Sequence, residues 1–282
     1  VRSGDVVRRA IYAPRTEHVA VLFDKVTLEE TRAWLLAGFA LPDAGTTRPM
    51  GPYIVIALVC LIVLTGAVFQ FLPKTTAPTQ QVPLSTYLAA VLFPVLPAGL
   101  GAVAVSVGIF GVAAFGGLVA FFAIWGCIAC SVLLRAGYRF HRPSAFGIAL
   151  FLLWSLLVFA GLLDRYVSAF VPTGVRLGLM AALLPAALLF MLADRALAAG
   201  AALWRRVLSR ALPIATLAGT MLIHPQNMGL LFTVLPVMVL FFLVYGTMGT
   251  LVARRLGPET AAVAQAVILA WSLSASTPLF AA

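Results

Sequence analysis

Six of the nine Asp and Glu residues lie within positions 1–50, and the following 232 positions carry only Asp164, Asp194 and Glu259. Apolar runs of about twenty residues fill that stretch, each enough to cross roughly 30 Å of hydrocarbon as a helix. A chain so poor in carboxylates and so rich in such runs is built for a solvent other than water. Its composition agrees: 62% of residues are hydrophobic and 10% charged, against about 25% charged in soluble domains.

The formal net charge is +10, a value that in a soluble protein would suggest nucleic acid. Its distribution argues against that partner. Residues 51–282 hold twelve Lys and Arg against three acids, and these cations fall in the short gaps between apolar runs. That is the bias of loops flanking membrane spans, so the expected partner is the lipid bilayer, with anionic headgroups the only phosphates in view.

The fold class that follows is an all-α polytopic membrane protein of about eight transmembrane helices, residues 49–282, behind a short α/β segment, residues 1–48. Expected spans are 52–72, 86–107, 112–134, 145–163, 174–193, 207–223, 228–251 and 260–279. Residues 86–134 are too long for one crossing, so two helices share them, with a turn at Gly108 and Gly111 and a kink at Pro94 and Pro97. The sixth span begins with Arg210 and Pro213, and a re-entrant or interfacial segment is its alternative. Gly101, Gly108, Gly116 and Gly117 suit close helix–helix approach. With the N-terminus outside, the inner loops carry Lys74, Arg135, Arg139, Arg142, Arg195, Arg205, Arg206, Arg210, Arg254 and Arg255, and the outer loops only Arg165 and Arg176. The N-terminal segment therefore belongs in the periplasm or cell exterior of a protein of the bacterial inner, or plasma, membrane.

Within the soluble piece, "VVRRAIYA" at 6–13 reads as a strand ended by Pro14. Thr27 is the expected N-cap and Glu30 stands three residues on, with Leu28, Leu35, Leu36 and Phe39 along one face. An amphipathic helix over 28–39 follows, stopped near Gly38 and Pro42. His18 sits between strand and helix, in "YAPRTEHVAVLFDKVTLEETRAWLLAGFALP".

Strand, short loop, histidine and a Trp-bearing amphipathic helix resemble the last strand, catalytic histidine and final helix of an α/β-hydrolase, over residues 6–41. The resemblance implies a serine hydrolase acting on an ester or amide, in the manner of an esterase, lipase or peptidase. The family's histidine is the third triad member in chain order. His18 would take the serine proton and return it to the leaving group, work suited to a side chain titrating near neutrality. No G-x-S-x-G occurs in the chain; the nearest string, "AVSVG" around Ser106, sits in an apolar run and reads as packing. Asp5 precedes His18 too closely for the family's acid, and Glu17 reads as a solvated charge. The nucleophile and acid are thus expected upstream of Val1, whose charged context suits a processed or incomplete start, or on another chain docked on residues 1–48.

Other polar residues take structural readings. His224, in "MLIHPQNMG", suits a hairpin turn between the sixth and seventh spans. His141, in "YRFHRPS", suits interfacial anchoring. Asp164 and Asp194 each precede an Arg at a span end, as in an interfacial ion pair. Cys60, Cys127 and Cys130 lie inside apolar runs, where the C-x-x-C of the last two reads as helix packing. No pattern implies a cofactor or a metal. The competing functional expectation is a non-enzymatic membrane protein, a transporter or an accessory subunit, in which residues 1–48 form a docking segment.

Overall fold

The computed structural model describes residues 2–3, 6–7, 12–14, 21, 24–43, 45–48, 50–74, 80–105, 112, 114–156, 171–229 and 231–277. The chain divides into two compact units, Val1–Cys60 and Leu61–Ala282.

In the first unit, Arg2–Ser3 (β1) and Val6–Val7 (β2) form a minimal antiparallel pair, with Arg2 opposite Val7 and Ser3 opposite Val6. Of the rest of the expected strand, residues 8–11 lie outside the described residues, and Tyr12 and Ala13 are in no strand. Helix α1 spans Lys25–Gly38 and is capped by Asp24, not Thr27: the Asp24 carboxylate accepts from the Thr27 backbone N–H at 3.0 Å. A carboxylate oxygen is a strong acceptor for an orphan helical donor, so the helix begins three residues before the expected start and Thr27 becomes its third residue. Arg32 donates to the Asp43 carboxylate, fastening the helix to the segment behind it. No residue of α1 is buried. Helix α2, Gly51–Phe69, runs from this unit into the next.

The second unit is a helical bundle. Among the described residues it continues with α3 (Leu84–Leu92), α4 (Val95–Ala104), α5 (Phe115–Arg135), α6 (Ala145–Trp154), α7 (Val175–Ala198), α8 (Leu203–Ile223), α9 (Pro225–Met228), α10 (Leu231–Leu256) and α11 (Pro258–Ser276). Among the described residues six helical segments are long and apolar enough to cross a membrane: α2, α3 and α4 taken together, α5, α7, α8 and α10. The chain is a multi-pass helical membrane protein.

Of the expected spans, the second is interrupted at Phe93 and Pro94 between α3 and α4, because Pro94 has no N–H to continue the ladder. The turn at Gly108 and Gly111 lies outside the described residues. The fourth span is seen only as α6, since residues 157–170 also lie outside them. The doubtful sixth span is one unbroken helix, α8, despite Pro213 inside it. Neighbouring helices tolerate such a proline by satisfying what it frees. The eighth, α11, is not among the six. It lies against α6, α7 and α10, with Ala261, Ala262, Ala264, Ala266 and Ala270 all fully buried.

Small residues set how closely these helices approach. A Cβ on Gly126 of α5 would come within 2.5 Å of the Phe190 amide nitrogen and 2.6 Å of the Leu189 carbonyl carbon on α7. At that separation Cys130 Sγ reaches the Leu189 carbonyl at 3.5 Å, so this half of the C-x-x-C packs between helices. Around the contact, Phe122 and Phe190 meet edge to face with centroids 4.8 Å apart. On the other side of the bundle Trp154 Nε1 donates to Thr65 Oγ1 at 2.9 Å, satisfying an indole donor that hydrocarbon would leave bare.

Candidate functional site

The polar interior of the bundle is built where α7 ends and α8 begins. Asp194, four residues before the end of α7, is buried, and so is its neighbour Arg195. Arg195 donates Nε–H and Nη2–H to Asp194 Oδ2 at 2.8 and 2.5 Å. From α8, Arg210 donates Nε–H to Oδ1 at 3.1 Å and Nη2–H to Oδ2 at 3.5 Å. One carboxylate therefore lies between two guanidiniums from adjacent helices.

Helix α10 closes the cluster. The Gly246 carbonyl accepts from Arg195 Nη1 and from Arg210 Nη2, both at 3.4 Å, and from the Thr250 hydroxyl at 2.9 Å. Thr250 Oγ1 in turn accepts from Arg195 Nη1 at 3.3 Å. A Cβ at position 246 would stand 3.0 Å from Arg210 Nη1 and 3.2 Å from Cζ, so the guanidinium would have to shift by a few tenths of an ångström to admit one. The Arg210 guanidinium also lies over the Phe242 ring, 5.5 Å from its centroid, an attraction that strengthens when desolvated. Nearby, fully buried Gln265 of α11 donates through Nε2 to the Tyr245 carbonyl.

The same end of the bundle carries a belt of loop contacts. Gln80 grips the backbone of Arg139 from both sides, donating Nε2–H to its carbonyl at 2.8 Å and accepting from its N–H at 3.0 Å. Glu259 accepts from the His141 backbone N–H at 3.2 Å and stands 3.5 Å from its Nδ1. Burial, with the Glu259 carboxylate adding to it, pushes the Tyr138 phenol above the ordinary tyrosine range. Arg205 donates to the Val82 carbonyl at 3.0 Å, while its own carbonyl accepts from the Tyr87 hydroxyl at 2.6 Å. Arginine, aromatic and histidine side chains thus gather in these loop contacts.

Of the residues named from sequence, His18 lies outside the described residues, as do Asp5, Glu17, Ser106, Asp164 and Arg165. His224 is where a hairpin turn would put it: exposed, ending α8 with its N–H on the Thr220 carbonyl at 2.9 Å and leading into α9. Asp194 does pair with Arg195, but the expected interfacial pair is instead a buried cluster, because α8 and α10 cover it with Arg210 and Gly246. Sequence reasoning missed those two partners and Thr250. A signal was present: Arg206 and Arg210 are four residues apart and so share one face of an otherwise apolar helix.

Among the described residues no group of three or more His, Cys, Asp or Glu side chains is placed to hold a metal ion. No protein-family model matches the chain, and neither a curated protein nor a solved structure does.

Proposed function

We propose that this chain is the C-terminal part of a membrane-embedded serine hydrolase, with His18 as the general base and the nucleophile and acid supplied by polypeptide outside it. One observation supports the reading beyond the resemblance of residues 6–41. Helix α1 falls within the stretch that resembles the hydrolase's final helix, and Trp34 and Leu35 on it and Phe39 at its C-cap are 53%, 40% and 71% exposed. A helix with that apolar face is made to lie against a sheet or another helix. A hydrolase body placed on α1 would cover these side chains and bring a strand beside residues 6–13. The positive-inside bias then puts the cation-rich end of the bundle in the cytoplasm and the hydrolase side outside.

The test uses the intact membrane protein. A fluorophosphonate probe should label it at a serine within a G-x-S-x-G ahead of Val1. His18→Gln, with unchanged melting, should lower both labelling and turnover of a p-nitrophenyl ester by at least about a thousandfold. A variant that keeps turnover within about threefold of the parent, at under 1 kcal/mol of barrier, excludes His18 as the base.

A second reading, a transporter or an accessory membrane subunit, is favoured by the buried Asp194 and Arg195 and the half-buried Arg210 paired with them, since ionisable residues inside a bundle often serve transport or assembly. Under it residues 1–48 dock another chain and no serine is labelled.

A further inference from the structure

Two hollows meet between α8 and α10. The first, of about 350 Å³, is lined by Arg195, Arg206, Arg254, Thr250 and Gln81, with no carboxylate among its described lining residues. The second, of about 670 Å³, runs along the bundle beside Val207, Ala211, Ile214, Ala215, Val239 and Leu243. Arg206, Thr250 and Arg254 line both, so a polar head space opens directly into an apolar groove. Both volumes are of the size that holds small organic ligands. The groove faces outward: Val207, Val239 and Leu243 are 56%, 42% and 63% exposed, on helices apolar enough to span the membrane.

The charge count is lopsided. Four arginines, Arg195, Arg206, Arg210 and Arg254, line these hollows, and among the described residues the one carboxylate paired with any of them is Asp194, which lines neither hollow and accepts from Arg195 and Arg210. Glu259, the other acid at this end, is taken by His141. Arg206 donates Nε–H to the Ala201 carbonyl at 2.8 Å, and neither it nor Arg254 pairs with a carboxylate among the described residues. Guanidiniums beside a membrane surface attract anionic headgroups, and their planar fork suits phosphate oxygens.

We propose that this composite groove is a selective site for one phospholipid with an anionic headgroup. Its phosphate lies between Arg206 and Arg254 near the Thr250 hydroxyl, and an acyl chain lies along Val207, Ile214 and Leu243. The apolar arm commits the site to a lipid, since a free phosphate would leave it bare. The site is independent of the hydrolase reading, for it uses no residue of the N-terminal unit.

The experiment presents the full chain in detergent with equal amounts of dioleoylphosphatidylglycerol and dioleoylphosphatidylcholine, and reads retained lipid by native mass spectrometry. One phosphatidylglycerol should be kept at least about tenfold in preference, equivalent to 1.4 kcal/mol. Arg206→Gln with Arg254→Gln should erase that preference. Ala215→Trp, which fills the apolar arm and leaves the arginines, should exclude the lipid. Arg142→Gln, an exposed cation outside both hollows, should change nothing; an equal loss there would mean general attraction to a basic face and overturn the site. Equal retention of the two lipids, or unchanged retention in the double variant, overturns it as well. Displacement of phosphatidylglycerol by millimolar inorganic phosphate, with phosphate still bound to the Ala215→Trp protein, would make the occupant a free anion and end the lipid assignment.

Discussion

Asp194→Asn tests the polar interior most directly. The substitution keeps the volume and removes the one negative charge facing Arg195 and Arg210. Arg195 is 2% exposed at its side chain and cannot turn to water. Its remaining contacts are the Gly246 carbonyl at 3.4 Å and Thr250 Oγ1 at 3.3 Å, longer than the roughly 2.7–2.9 Å of charge-assisted bonds. Breaking a buried pair from one side costs about 3–5 kcal/mol, because the surviving charge stays buried without compensation. At 3 kcal/mol the folding constant falls by about two powers of ten. Arg210 is 14% exposed at its side chain, and Asp194 would keep Arg195, so Arg210→Gln should cost clearly less. The double variant should cost less than the sum, since both changes act on one network. Equilibrium unfolding in mixed micelles by added dodecyl sulfate, followed by tryptophan fluorescence, measures all three. A cost for Asp194→Asn under about 1 kcal/mol, the range of a solvated pair, would refute the buried cluster.

Two further outcomes follow from the packing and the loops. Gly126→Ala places a Cβ 2.5 Å from a backbone nitrogen that cannot give way, so it should cost at least about 1–3 kcal/mol; Gly178→Ala, with nothing within 4 Å, should gain about 0.5–1 kcal/mol from helix propensity. The same unfolding assay ranks them, and equal effects would show that α5 and α7 do not meet through Gly126. For orientation, single cysteines at exposed Lys74 and Gln226, in a chain with Cys60, Cys127 and Cys130 replaced, should react with a membrane-impermeant maleimide from opposite sides, Lys74→Cys from the cytoplasm. Labelling of both from one side would overturn the topology.

Much of this architecture is written locally. Apolar runs mark the helices because the bilayer imposes a length, and Pro94 marks a break because it cannot donate. The cap of α1 was displaced by three residues, since Asp24 and Thr27 both suit an N-cap and only the backbone decides which carboxylate or hydroxyl meets the orphan amide. Pro213 left a re-entrant segment open as the alternative to the sixth span for the opposite reason: a helix-breaking signal in water is tolerated when other helices surround it. The polar interior was legible only in half. Asp194 and Arg195 are chain neighbours and suggest each other, whereas Arg210, Gly246 and Thr250 join them through helix packing, which leaves no fixed spacing to read.

One consequence concerns α11. Its solvent is its neighbours: they cover its alanines, accept the amide proton of Gln265, and hold its far end where Arg176 donates to the Ser274 carbonyl at 3.1 Å. A segment of that character gains little by partitioning into lipid on its own account. Its free energy of residence is delivered by α6, α7 and α10, so during biogenesis those helices have to be in place before the last one can settle among them.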